Sequence, residues 1–133
     1  MPFFSVIVPA YNVQAYLRAA ITSVLAQDFG DFEIIAVDDR SPDESGLIID
    51  ELAAADERIV AIHLAENCGL GGARNAGIDA ASGDYLIFLD GDDTLRPGSL
   101  SAIAQRLRTN GLPELCIYNY ARTWWDGREA VSS

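Results

Sequence analysis

Short apolar runs rich in β-branched residues alternate along this chain with segments whose apolar positions recur at helical spacing. Phe4 to Val8 reads as a buried strand ended by Pro9. Val13, Tyr16, Leu17, Ala20, Ile21, Val24 and Leu25 then follow the i, i+3, i+4, i+7 pattern of an amphipathic helix, with Asn12 placed to cap it. Phe32 to Val37 is a second strand. Ser41-Pro42-Asp43-Glu44 combines a capping serine, a proline at the first helical position and a glutamate three residues after the cap. A helix is expected from there to about Ala55. Ile59 to Leu64 is a third strand, Gly72 to Ala81 a short helix, and Tyr85 to Leu89 a fourth strand. Pro97 is expected to open another helix that Gly111 closes, and Leu115 to Tyr118 is a fifth strand.

Strands and helices alternating in such short steps predict βαβ units, an α/β fold with a mainly parallel sheet and helices on both faces. Residues 1–120 form the expected domain. The rhythm is lost from about Ala121 to Ser133, an irregular tail.

Composition narrows the function. The chain has 133 residues, half of them apolar, which suits one domain with a real core. Its 20 acidic and 9 basic residues give a formal charge of -11. No basic stripe exists to meet a nucleic-acid backbone or an anionic membrane surface. Every basic residue is arginine, which removes P-loop and Schiff-base chemistry within this chain. Two cysteines, Cys68 and Cys116, are too few for a disulfide framework or a zinc cluster. No basic leader and no apolar run of ~18 residues is present, so cytoplasmic residence is the expectation. Contact with the inner face of a membrane is left to segments beyond this chain.

The unusual polar residues fall at the carboxyl ends of the expected strands, where open parallel sheets bind ligands. Pro9-Ala10-Tyr11-Asn12 follows the first strand, and Asp38-Asp39-Arg40-Ser41 the second. A glycine-rich stretch from Asn67 to Asn75 follows the third, and Asp90-Gly91-Asp92-Asp93 the fourth. Three carboxylates in four residues repel one another unless a hard divalent cation neutralises them; a solvated acidic turn is the alternative. Asp38 or Asp39 is placed to accept hydrogen bonds from a ribose or a base edge, or to complement the following helix. Gly69 to Asn75 reads as a flexible loop whose amides approach phosphate, with Arg74 adding a fork for a diphosphate. A dehydrogenase is disfavoured, because its glycine fingerprint belongs after the first strand. Tyr11 is placed to stack on a base or merely to pack. His63 reads as structural, and Trp124-Trp125 as cover for apolar surface.

These motifs together resemble the inverting family 2 glycosyltransferases of the GT-A fold. Val6-Ile7-Val8-Pro9-Ala10-Tyr11-Asn12 is similar to their opening strand and loop. Val37 to Asp43 resembles their Val-Asp-Asp-Gly-Ser-x-Asp segment, and Asn67 to Gly77 their Asn-x-Gly…Ala-Arg-Asn-x-Gly segment. Gly83 to Asp93 is similar to the strand that carries their Asp-x-Asp motif. The resemblance implies that Pro9, Ala10 and Tyr11 border the base, that Asp39 bonds the base or ribose, and that Arg74 reaches the nucleotide or its phosphates. It implies that Asp90, with Gly91, approaches the ribose and metal shell, and that Asp92 ligates Mn²⁺ or Mg²⁺ on the diphosphate. The implied donor is a UDP-sugar, and the implied acceptor a hydroxyl of an unspecified sugar, lipid or polymer.

Two departures stand out. Arg40 occupies a position where the family often has glycine. The chain also ends soon after the fifth strand, before the segment expected to supply the acceptor site and the catalytic base, so the GT-A fold is expected to be truncated. These 133 residues alone are expected to bind nucleotide weakly and to transfer sugar poorly or not at all. One rival is a haloacid-dehalogenase-type phosphatase, built on Asp90-Gly91-Asp92-Asp93-Thr94, although that mechanism wants a lysine. The other is a non-catalytic module that binds nucleotide sugar.

Overall fold

A computed structural model of the chain describes residues 2–109, 111 and 117–120. Its elements in chain order are β1 (Phe4–Ala10), α1 (Leu17–Leu25), β2 (Phe32–Asp38), α2 (Ser45–Ala55), β3 (Ile59–His63), α3 (Gly69–Ala80), β4 (Tyr85–Leu89), α4 (Ser99–Thr109) and β5 (Ile117–Tyr120). The strands form one parallel sheet in the order β3-β2-β1-β4-β5. The expected α/β architecture is therefore present, and β1 is its centre. Among the described residues no helix is long and apolar enough to cross a membrane. The tail from Ala121, with Trp124-Trp125, and Cys116 lie outside the described residues.

Side chains alternate across the sheet and divide the core in two. Phe4, Val6 and Val8 of β1, Ile34 and Ala36 of β2, and Ile87 and Leu89 of β4 pack against α1, α2 and α4. Ile7, Ile35, Val37 and Phe88 face the other way, toward Ala73 and Ala76 of α3. Full burial of strand residues on both faces explains why these runs read as continuously apolar rather than alternating.

Several expected boundaries shift, each for a local reason. β1 continues through Pro9 to Ala10. Its ladder with β4 ends at Ile7↔Phe88, ahead of the proline, which has no N–H to give it. The Pro9 carbonyl still accepts the Gly91 N–H at 3.2 Å. Asn12 does not cap α1: it lies at φ 55, a turn from Val13 to Tyr16 follows, and the helix begins at Leu17. α2 likewise starts at Ser45 rather than just after Ser41. Glu44 holds the cap position without a side-chain hydrogen bond, and the Asp43 carboxylate ahead of it accepts the Ser45 N–H at 3.0 Å. α4 starts after Gly98, whose φ of 82 separates Pro97 from the helix, while Gly111 at φ 81 follows its end as expected. β3 stops one residue early at His63, and β5 is displaced to Ile117–Tyr120.

The glycine-rich stretch is the larger correction. Gly69 to Asn75 is not a loop; it is the first half of α3, entered through Gly69 at φ 77. Glycine later in that helix serves packing. A β-carbon on Gly77 would lie 2.4 Å from Ile7 Cγ2, so its absence lets α3 rest on the centre of the sheet.

His63 fastens α2 to the sheet. Its Nδ1 lies 2.9 Å from Asp38 Oδ2 and its Nε2 lies 2.8 Å from Asp50 Oδ1. A carboxylate at each nitrogen favours the doubly protonated ring, which can donate to both. The Asp38 hydrogen bond first, and the Asp50 one second, raise the His63 pKa from its ordinary 6.5, against the opposing effect of burial.

Two predictions follow from this packing. Gly77→Ala should destabilise the fold by about 1–2 kcal/mol, since overpacking outweighs the gain in helix propensity. Gly71→Ala, with nothing within 4 Å of the new carbon, should be neutral or stabilising. Urea unfolding of both variants checks the opposite signs. For His63, the folded state holds the proton more tightly than the unfolded chain. Its stabilisation is complete below 6.5 and is lost as pH rises through the raised value. The urea midpoint of the wild type should fall across that window, and His63→Gln should remove that part of the slope. Parallel curves for the two proteins would contradict the pairing.

Candidate functional site

The order of strands reverses at β1. Chain order runs outward on one side through α1, β2, α2 and β3, then returns over the opposite face through α3 to β4. α1 and α4 share one face and α3 takes the other, and ligands of such open sheets bind outside the carboxyl ends of the strands where the order reverses. A cavity of about 390 Å³ lies there. Pro9, Ala10 and Tyr11 line it from the end of β1, and Asp39 from the end of β2. Asn67, Gly69 and Leu70 contribute from the entry to α3, and Asp90, Gly91 and Asp92 from the end of β4.

Gly91 sets the distance between the two sides. Its N–H donates to the Pro9 carbonyl, and a β-carbon there would stand 2.9 Å from Val13 Cγ2 and 3.0 Å from the Pro9 oxygen. Any larger residue would push the acidic loop away from β1.

The two adjacent aspartates at the end of β2, Asp38 within the strand and Asp39 just past it, part company. Asp38 turns to His63 and accepts the Ser41 N–H at 2.8 Å through its other oxygen. Asp39 is only 3 % exposed and forms part of the cavity wall. Its N–H donates to the Ala10 carbonyl at 3.0 Å, and its Oδ1 accepts the Cys68 N–H at 2.7 Å. Asn67 Nδ2 donates to its carbonyl at 3.1 Å. Asp39 is thus pinned between β1 and the β3–α3 connection. The anchoring by Cys68 left no trace in the sequence, because a backbone N–H donor carries no residue signature.

Asp90, Asp92 and Asp93 each offer a carboxylate oxygen, all within 4.8 Å of one another. Opposite ligands of an octahedral Mg²⁺ lie roughly 4.2 Å apart, so a small rotation brings these oxygens onto one cation. The donor set is all oxygen and anionic, which suits Mg²⁺ or Mn²⁺. Asp93 stands beside Asp90 and Asp92, the two residues expected from the sequence to ligate a cation.

Arg74 is not on the cavity wall. One terminal nitrogen lies 3.4 Å from Asp90 Oδ1, and the guanidinium carbon stands 5.6 Å from the centre of the Phe88 ring. Its Nε is buried without a hydrogen-bond partner among the described residues. The structure therefore brings Arg74 to Asp90. Tyr11 is 46 % exposed at the rim, with its ring available to a ligand. Arg40 is at φ 56, which is the reason glycine suits that position, and its guanidinium donates to the Ala65 carbonyl at 2.8 Å.

Beside the cavity, Asp43 accepts hydrogen bonds from Ser41, from the Ser45 N–H and from the Gln14 N–H. Burial works to raise its pKa, but the Ser41 and Ser45 bonds, with the Gln14 N–H, outweigh it and lower the value from 3.8 to about 2. Asp43 is therefore a fixed anion at neutral pH.

With the geometry in place, likeness to known proteins becomes informative. Over 112 residues the chain is 44% identical to the uncharacterized glycosyltransferase EpsJ of Bacillus subtilis, covering 84% of this chain and 32% of that protein. It is 44% identical over 108 residues to the GalNAc(5)-diNAcBac-PP-undecaprenol beta-1,3-glucosyltransferase of Campylobacter jejuni, covering 80% of this chain and 35% of that one. The crystal structure of S. aureus TarS 1-349 in complex with UDP-GlcNAc superposes with a TM-score of 0.75 at 33% identity, over 81% of this chain and 32% of that one. The chain thus spans about a third of the length of the relatives it matches. The match to the glycosyl transferase family 2 model runs over residues 5–125 and takes in all four strand-end motifs, three of which the phosphatase reading leaves unexplained. This chain belongs to glycosyl transferase family 2.

Proposed function

We propose that this domain binds a nucleotide-diphosphate sugar, a UDP-sugar, for inverting transfer to an acceptor hydroxyl. The observation that carries the reading is the shared cavity, with Tyr11 and Asp39 on one side and Asp90 and Asp92 on the other. Its volume falls in the range of small-molecule sites. The likeness to TarS, whose structure holds UDP-GlcNAc, supports a uridine nucleotide as the donor.

Each wall has a distinct task in this reading. Pro9 and Ala10 border the base and Tyr11 stacks on its face, burying apolar surface with little loss of side-chain freedom. Asp39, held by Cys68 and Ala10, accepts hydrogen bonds from the base edge or the ribose. Asp90 and Asp92 hold Mn²⁺ or Mg²⁺, with Asp93 beside them and Gly91 giving the loop its place against the ribose. A cation bound there offsets the charge that grows on the departing nucleoside diphosphate. Arg74 keeps Asp90 oriented and puts a positive charge near the phosphates. An acceptor hydroxyl, from a sugar, lipid or polymer, attacks the anomeric carbon on the face opposite the leaving group as the bond to the nucleoside diphosphate breaks, inverting that carbon and passing its proton to a base outside this set of residues.

Calorimetric titration with UDP tests the division of labour. Mn²⁺ should tighten UDP binding to the wild type by about tenfold or more, near ~1.4 kcal/mol. Asp92→Asn should abolish that dependence, while Asp39→Asn should weaken UDP with or without the metal. Equal UDP affinity in the presence and absence of Mn²⁺, unaltered by Asp92→Asn, would refute the reading.

A further inference from the structure

In parallel α/β folds the backbone amides at the first strand–helix junction are the usual receivers of phosphate. Here three consecutive amides of that junction are already taken by side chains of the β2–α2 loop. Asn12 N–H donates to Ser41 Oγ at 2.9 Å, Val13 N–H to Ser45 Oγ at 3.3 Å, and Gln14 N–H to Asp43 Oδ2 at 3.1 Å. The contact is reciprocal, since Gln14 Oε1 accepts the Glu44 N–H at 2.9 Å. Ser41 is held from behind, its N–H donating to Asp38 and its hydroxyl bonding Asp43. Asn12 and Arg40 both take left-handed backbone on either side of the contact. Asparagine tolerates that conformation, but for Arg40 it is unfavourable and persists where surrounding bonds hold it.

We propose that Ser41, Asp43 and Ser45 are positioning residues that seal the β1–α1 amides against phosphate and hold Tyr11 as the base-side wall of the cavity. The inference rests on the nucleotide reading above and deepens it. Tyr11 immediately precedes the first sealed amide, so the place of its ring follows that of Asn12. The seal includes a carboxylate, which repels phosphate from the end of β1. The diphosphate is thereby left to the Asp90–Asp92 side, and the nucleotide can enter in one direction only.

Amide hydrogen exchange followed by NMR, together with titrations of uridine and of UDP with Mn²⁺, tests this on the 133-residue chain. In the wild type the amides of Asn12, Val13 and Gln14 should be protected. Ser41→Ala and Asp43→Asn should speed exchange at those three positions while β1 and β4 amides keep their rates. Both variants should weaken uridine and UDP by the same factor, about five- to tenfold. Ser41→Thr, which keeps the hydroxyl, should restore both readouts. Ser45→Ala supplies a milder variant should Asp43→Asn fail to fold. Unchanged exchange in the variants would overturn the seal. Faster exchange with uridine affinity intact, or a loss confined to UDP, would overturn the positioning of Tyr11. Failure of the wild type to bind either ligand would instead refute the nucleotide reading, and the exchange rates would still report on the seal.

Discussion

The site depends on the close approach of the acidic loop after β4 to the end of β1. The two strands are largely buried and paired in parallel register, and Gly91 lets the loop touch the Pro9 carbonyl without a side chain between them. A topological reversal opens the crevice, but this contact brings the Asp90–Asp93 carboxylates within reach of a ligand that also touches Tyr11 and Asp39. Two chemically unlike walls then face one cavity: an aromatic and hydrogen-bonding one from β1 and β2, and an anionic one from β4. A molecule with a planar end and a polyanionic end joined to a metal matches that division.

Around this contact the packing is arranged to keep each wall still. α3 lies close on the sheet because Gly77 leaves room for Ile7, and the entry to the same helix delivers the Cys68 N–H to Asp39. α2 is fastened by His63 between Asp38 and Asp50, and the loop ahead of it grips the backbone of the β1–α1 turn. Pairs of oxygen acceptors and backbone donors, each modest alone, therefore fix the positions of Tyr11 and Asp39 from several directions.

Much of this was legible in the residues. Buried parallel strands write continuous apolar runs, and Tyr85 to Leu89 appeared with its observed ends. The strand-end residues Pro9, Ala10, Tyr11, Asp39, Asp90, Gly91 and Asp92 meet in one cavity because strand periodicity and the rule of carboxyl ends act on local sequence. Helix starts were harder. Asn12 and Ser41 have the chemistry of caps, yet their hydrogen bonds run between two loops some thirty residues apart, which no local pattern encodes. Glycines also misled: the stretch from Gly69 opens α3, whose Ala73 and Gly77 pack on the sheet, whereas composition alone suggests a mobile loop. The contact of Arg74 with Asp90, a partner sixteen residues away, was not legible, since only the fold brings the two near.

The central claim, one cavity that joins the acidic loop to the ends of β1 and β2, can be measured directly by paramagnetic broadening. Mn²⁺ added in trace amounts with UDP should selectively broaden the amide signals of Asp90 to Asp93, and next those of Ala10, Tyr11 and Asp39, while Asp56 to Arg58 at the opposite end of the sheet stay sharp. Broadening centred on another acidic patch, or spread evenly over the surface, would contradict the account.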